Sequence, residues 1–217
     1  MGEINLLDRY PRASRNPDER ASTITEEDRR IAKQFGNEYF DGPRNRGYGG
    51  YRYDGRWVPV VERFVQHYGL TADSSVLDVG CAKGFMLHDF QKVVPGITVE
   101  GIDISKYAID NAMEGVKPFL HFGNAKDLSS YGDKSFTLVV SITTIHNLKL
   151  ADCKRALREI QRVGKHAFVT VDAWRNPEEE ARMKKWNITA ETFMHAEDWK
   201  RLFDEVGYTG DYYWFIP

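Results

Sequence analysis

Apolar residues follow two rhythms along this chain. Short runs such as Val76-Leu77 with Val79, Thr98-Val-Glu-Gly-Ile102 and Leu138-Val139-Val140 alternate with stretches whose apolar positions recur every three or four residues, as in 151–162 and 196–206. The runs have the length and branching of strands covered on both faces, and the longer stretches carry the stripe of amphipathic helices. This pattern predicts strands at 76–79, 98–102, 119–122, 136–142, 167–171 and 211–215, with helices at 58–68, 85–94, 105–114, 151–162 and 196–206. Strands alternating with helices imply right-handed crossovers, hence an α/β fold: a doubly wound, mostly parallel sheet with helices on both faces. Thr25-Glu-Glu-Asp28 has the form of a capping box and predicts a further helix through about Phe35. Residues 1–24, including Tyr10-Pro-Arg-Ala-Ser-Arg-Asn-Pro17, have little periodicity and are expected to be loose or to fold onto the body. The division is therefore an N-terminal helical and loop extension over 1–56 and a main domain over 57–217.

The strand at 76–79 runs into a turn of small residues, Asp78-Val-Gly-Cys-Ala-Lys-Gly84, and then a helix. Gly80, Ala82 and Gly84 keep side chains out of the turn, so a ligand can approach the backbone and the helix can pack on the strand. Such a turn alone often has no ligand. A second strand ending in Asp103, about twenty residues on, raises the odds, because an acid there can accept from both hydroxyls of a ribose. NAD is the competing cofactor, but the Gly-x-Gly-x-x-Gly spacing of its fingerprint is not met.

On these residues the chain resembles the class I, Rossmann-like S-adenosylmethionine-dependent methyltransferases over roughly 57–217. The family's Asp-x-Gly-x-Gly-x-Gly falls on Asp78, Gly80, Ala82 and Gly84, its second-strand acid on Asp103, and its Gly-Asp-Ala on Gly123-Asn124-Ala125. Ala82 and Asn124 depart from the pattern, as does Thr137 where the family commonly has Asp. The resemblance implies S-adenosylmethionine as cofactor and S-adenosylhomocysteine as product. Cofactor-binding residues would be Asp78, Gly80, Cys81, Ala82, Gly84, Asp103, Ile104, Asn124, Ala125 and Ser141. The loop Thr143-Thr-Ile-His-Asn-Leu148 falls where these enzymes present groups to the methyl acceptor, which makes His146 the candidate general base; a packing role for the ring weighs about equally. Members of the family commonly finish on an antiparallel hairpin, whereas here the strand at 211–215 lies two residues from the carboxyl end, leaving the completion of that edge open.

Composition narrows the rest. A net charge of −2 supplies no global field for nucleic acid or an anionic membrane, and no apolar run approaches membrane-spanning length. With no basic-then-apolar leader, the expected compartment is the cytoplasm. Cys81 and Cys153 are too few for a disulfide framework or zinc site, and no carboxylate and histidine cluster around His146 implies a metal. Residues 44–57 hold four glycines, three tyrosines, four arginines and a tryptophan. They are expected to form a lid, with Tyr48, Tyr51 and Arg52 contacting the acceptor together with Asp172 and Trp174 beyond the fifth strand; anchoring in the core through the aromatics is the plainer alternative. His195 is expected to be a helix-entry residue. The function expected is methyl transfer to oxygen or nitrogen of a small molecule, possibly anionic or sugar-like, rather than nucleic acid. The alternatives are an RNA or protein methyltransferase, or a donor-binding protein acting through a partner.

Overall fold

The computed structural model describes residues 2–11 and 16–217; residues 12–15, within the expected N-terminal arm, lie outside the described part. Strands β1 (Ser75–Val79), β2 (Thr98–Asp103), β3 (Leu120–Phe122), β4 (Phe136–Ile142), β5 (Gly164–Trp174), β6 (Met194–His195) and β7 (Asp211–Phe215) form one sheet, ordered β3-β2-β1-β4-β5. Beyond β5, Phe168–Asp172 pair with β7, and Ala173 and Trp174 with β6. Every pairing is parallel. The order reverses between β1 and β4, so the crevice of an open α/β sheet falls over Val79 and Ile142.

Alternation along the strands divides the core in two. Leu77, Val79, Val139, Val169 and Val171 face one layer, where α7 (Leu150–Val163) brings Leu157 and Ile160 and α9 (Ala196–Val206) brings Trp199 and Phe203. Val76, Leu138, Val140 and Phe168 face the other, against Val60, Val61 and Phe64 of α4 (Val58–Tyr68) and Leu87 and Phe90 of α5 (Phe85–Val93). Helices α4 and α9 stop at Gly69 and Gly207, whose φ of 63° and 72° suit a residue without Cβ.

Several boundaries differ from the sequence pattern. The helix expected over 105–114 forms only as α6 (Lys106–Asp110), because Met113 N–H bonds instead to Lys83 O (3.0 Å). Strand β5 is eleven residues long, so Asp172 and Trp174 lie within its end rather than after it. Two helices longer than a single turn were not anticipated, α1 (Pro17–Thr23) and α8 (Pro177–Trp186). Each has an Asn N-cap, Pro in the first turn and early acids, but buries a single residue, Pro17 or Met183, so an apolar stripe is lacking. The capping box at Thr25 and Asp28 is present and opens α2 (Glu26–Ala32), which is followed by the one-turn α3 (Asn37–Phe40).

The final strand is parallel, not the second arm of an antiparallel hairpin. Its outer edge is covered by the amino-terminal segment: Ile4 N–H donates to Tyr212 O (2.9 Å), Tyr212 N–H donates to Gly2 O (3.0 Å), and Glu3 bridges Tyr212 in parallel register. Pairing of this kind uses backbone groups that an open edge would expose. Among the described residues no helix is long and apolar enough to cross a membrane.

Candidate active site

A cavity of about 710 Å3 opens over the carboxyl ends of β1, β2, β4 and β5. That volume sits in the upper part of the roughly 300–1,000 Å3 range of ligand clefts. Strand β1 brings Asp78 to its wall, and the chain turns through Gly80 and Ala82, with φ of 92° and 51°. A Cβ on Gly80 would lie 2.1 Å from Thr144 Oγ1, so glycine is needed there for both angle and space. Phe35 and Thr143 also line the cavity with positive φ (48° and 49°), which concentrates backbone strain around it. Gly84 caps α5 in the left-handed region and faces Val116 and Leu120 instead of the cavity.

Asp103 closes β2 beside the turn. Its Oδ2 accepts from Ala82 N–H (2.8 Å) and its Oδ1 from Ser105 N–H (2.7 Å), which fixes the carboxylate while leaving each oxygen a second lone pair. Removal from water raises the pKa of Asp103 against the pull of those amides. Burial, and then the neighbouring Asp103, push Asp78 up to about 8. The Cys81 thiol is likewise raised far upward by burial and the two acids, and it packs on Gly101, where a Cβ would meet Sγ at 2.7 Å. Beside Asp103, Ile104 is 49% exposed and gives the cavity an apolar wall. Asn124 and Ala125 line the cavity after β3, where Asn124 Oδ1 accepts from Lys126 N–H (3.2 Å). This half of the cleft can hold a diol, a flat apolar ring and a cation.

His146 lies in a 3-10 turn (Ile145–Asn147) after β4, buried and on the cavity lining. Its Nδ1 accepts from Asp172 N–H (3.0 Å), and Asp172 Oδ1 lies 3.4 Å from the same nitrogen. An accepting Nδ1 is unprotonated, so the neutral ring carries its proton on Nε2 and has the chemistry of a donor. Burial lowers the His146 pKa, with Asp172 opposing.

The extension 1–56 closes much of the remaining wall, through Tyr10, Arg20, Phe35, Tyr39, Tyr48 and Tyr51 among others. Tyr51 stacks on Phe85 at 4.8 Å, and Lys83 Nζ bonds to both Tyr51 O (3.1 Å) and Asp41 Oδ2 (2.6 Å), tying this strap to the glycine turn. The expected site residues thus divide. Asp78, Gly80, Cys81, Ala82, Asp103, Ile104, Asn124, Ala125, Tyr48, Tyr51, His146 and Asp172 share the cavity. Ser141 does not: its Oγ donates to Val79 O (2.9 Å) inside the sheet. Arg52 points to solvent between the inward Tyr51 and Tyr53, and Trp174 packs edge-on against Phe193 (5.8 Å). His195 caps α9, accepting from Glu197 N–H at 3.2 Å. Sequence reasoning missed Arg20, Tyr39, Trp186 and residues 213–216, all on the cavity, because only folding of both chain ends brings them there. Among the described residues no group of three His, Cys, Asp or Glu side chains could hold a metal ion.

A glycine turn after the first strand, an acid ending the second and a cleft over the carboxyl ends give the layout of open α/β proteins that bind a nucleotide-type cofactor. Residues 77–167, less than half of the chain, match the family described as a methyltransferase domain. A search of curated proteins finds no match. Among solved structures, the YcgJ protein of Bacillus subtilis is similar at 19% identity over 67% of this chain and 66% of its own, with a TM-score of 0.54. A chain of the complex between the Haloferax volcanii Trm112 methyltransferase activator and a candidate methyltransferase is similar at 23%, covering 71% and 73%, with a TM-score of 0.52. The [4+2]-cyclase SpnF is similar at 21%, covering 69% and 56%, with a TM-score of 0.55. These likenesses concern the fold.

Proposed function

We propose that this protein is a cytoplasmic methyltransferase that uses S-adenosylmethionine to methylate an oxygen or nitrogen of a small molecule. The observation that carries this reading is the continuity of one cavity from the glycine turn and Asp103 to His146 and the aromatic strap. The residues fit the donor: Asp103 takes the ribose hydroxyls, Ile104, Asn124 and Ala125 hold the adenine, and the Gly80–Ala82 backbone receives the amino-acid end beside Asp78. The donor supplies a sulfonium-bound methyl group with its leaving group built in. The chain's task is to align the acceptor, exclude water and govern its proton. His146 donates from Nε2 to the acceptor and orients it; an acceptor atom that arrives deprotonated needs no base.

A polymer acceptor has less support. Tyr51 lies on Phe85 and Tyr53 Oη donates to Asp89 (2.6 Å), so the arginine and tyrosine segment is turned inward instead of forming a stacking surface. Silence on account of Thr137 has none, because its hydroxyl and amide exchange hydrogen bonds with Ser75 (both 3.1 Å) at the start of the strands, away from the cleft.

Calorimetric titration with S-adenosylhomocysteine, with NADH as control, tests the donor. Binding that is lost in Asp103→Ala is the expected result; binding of NADH in its place, or of neither, overturns the reading.

A further inference from the structure

Among the described residues the cavity wall carries four arginines, and they are not equivalent. Arg56 and Arg175 each have a carboxylate partner, Asp54 at 2.5 Å and Glu3 at 2.8 Å. Arg20 and Arg44 have no carboxylate within 4.0 Å among the described residues. Arg20 Nε donates to Trp186 O (3.0 Å) at the end of α8, and its guanidinium lies 4.5 Å over the Trp186 ring. Arg44 Nη1 donates to Gly47 O within the strap. Each guanidinium has five N–H donors, so most of their bonding capacity is unspent. Arg29, held by Asn187 O and also with no carboxylate within 4.0 Å among the described residues, adds a third positive charge nearby.

Holding such charges together in a partly dry wall is unfavourable unless something negative joins them. Burial, and then repulsion by Arg44 and Arg29, bring the Arg20 pKa down to about 10. Of the cavity's acids, Asp78 and Asp103 flank the glycine turn, where the donor's positive charges belong, Asp172 lies beside His146, and Glu179 accepts from Arg175 N–H at 2.8 Å. The wall beside Arg20 is aromatic: Tyr39 acts on its charge, Phe35 packs edge-on against Tyr39 (5.1 Å), and Phe215 packs against Trp186 (6.2 Å).

We propose that Arg20 and Arg44 form an oxyanion subsite that selects an acceptor bearing a carboxylate or phosphate on an aromatic body. This rests on the reading of the cavity as donor and acceptor site. The guanidiniums grip the oxyanion, the aromatic walls hold the ring, and the acceptor's negative charge faces a cationic donor across the cleft. The grip is given by the fold of both chain ends, since α1 supplies Arg20 and α8 its anchor at Trp186.

The test is titration of the full chain with benzoate, phenyl phosphate and benzamide, each with and without S-adenosylhomocysteine, for wild type, Arg20→Gln and Arg44→Gln. Expected is binding of one anion at least about tenfold tighter than benzamide, as charge-assisted pairing to a guanidinium implies, with that preference lost in either variant. Preference for benzoate assigns a carboxylate acceptor, and preference for phenyl phosphate a phosphate ester. Equal binding of all three probes, no binding at millimolar concentration, or a preference that survives both substitutions overturns the subsite. Circular dichroism and the homocysteine titration of each variant report folding. If S-adenosylhomocysteine fails to bind wild type, the donor reading falls, while the titrations without it still decide the subsite.

Discussion

Lys83 Nζ stands 2.6 Å from Asp41 Oδ2, joining the turn that opens α5 to the strap that closes over it. Asp41 also accepts from Tyr107 Oη (2.6 Å) and Tyr51 N–H (3.1 Å). Burial alone would raise the Asp41 pKa, but these donors outweigh it and hold the group below its ordinary value. The strap's hold is therefore complete above the usual carboxyl pKa of about 4 and is lost as pH falls through the lowered value.

Asp41→Asn leaves the Lys83 ammonium, with its side chain 9% exposed, without its counter-ion. A loss of about 1–3 kcal/mol is expected for a charged hydrogen bond of this burial. Limited proteolysis over residues 42–57 should accelerate, and affinity for S-adenosylhomocysteine should fall. Unchanged cleavage would show that the aromatic contacts hold the strap without the ion pair.

Asp78 makes donor binding depend on pH. With its pKa raised to about 8 in the free protein, the group is largely protonated at neutral pH, and an ammonium placed beside it favours ionisation. Binding should release a proton, so affinity rises as pH increases from 6 toward about 8 and then levels. Calorimetry in buffers of different ionisation enthalpy measures the release, and Asp78→Asn should abolish it.

His146→Ala is expected to lower turnover about a hundredfold while leaving donor affinity intact, in keeping with loss of one positioned proton-bearing group. Its buried ring has a lowered pKa, so the unfolded chain takes up the proton first as pH drops through about 6.5. Stability contributed by the neutral ring is present above that value and lost below it. Urea midpoints at pH 7 and pH 5 should therefore converge between wild type and His146→Gln; parallel losses would mean the ring titrates normally.

Gly80→Ala should destabilise the fold by about 2–4 kcal/mol, combining a left-handed backbone with overpacking. The added methyl would meet Thr144 Oγ1 at 2.1 Å and Thr144 Cβ at 2.7 Å. Thr144→Ala in the same chain should restore little, because Cβ and the φ of 92° remain. Recovery of full stability in the double variant would place the whole cost in the hydroxyl and methyl of Thr144.

Legibility followed local signals. Helices α4, α7 and α9 carry their own apolar stripes, and β1, β2 and β4 their own apolar runs, so each was visible within a window of a dozen residues. Helix α8 was not, since Met183 is its one buried residue and its evidence is Asn176, Pro177 and three glutamates in the first turn. Arg52 could have been excluded from the site: in 51–53 the tyrosines point inward and the arginine outward, the alternation of extended chain. Trp174 could not, because its departure from the cavity follows from pairing with β6 and contact with Phe193.

The sequence by itself determined the parallel α/β order, the small-residue turn at Gly80 and Ala82, and the acid at Asp103, because each depends on neighbours within one strand–turn–helix unit. Only the tertiary structure decided that Gly2 to Ile4 pairs beyond β7, that Asp172 N–H sets the proton on His146, and that Arg20 and Arg44 meet in one wall. Those relations join residues 24 to more than 200 positions apart, and no local periodicity encodes a contact whose partners are assembled by packing distant segments onto one sheet.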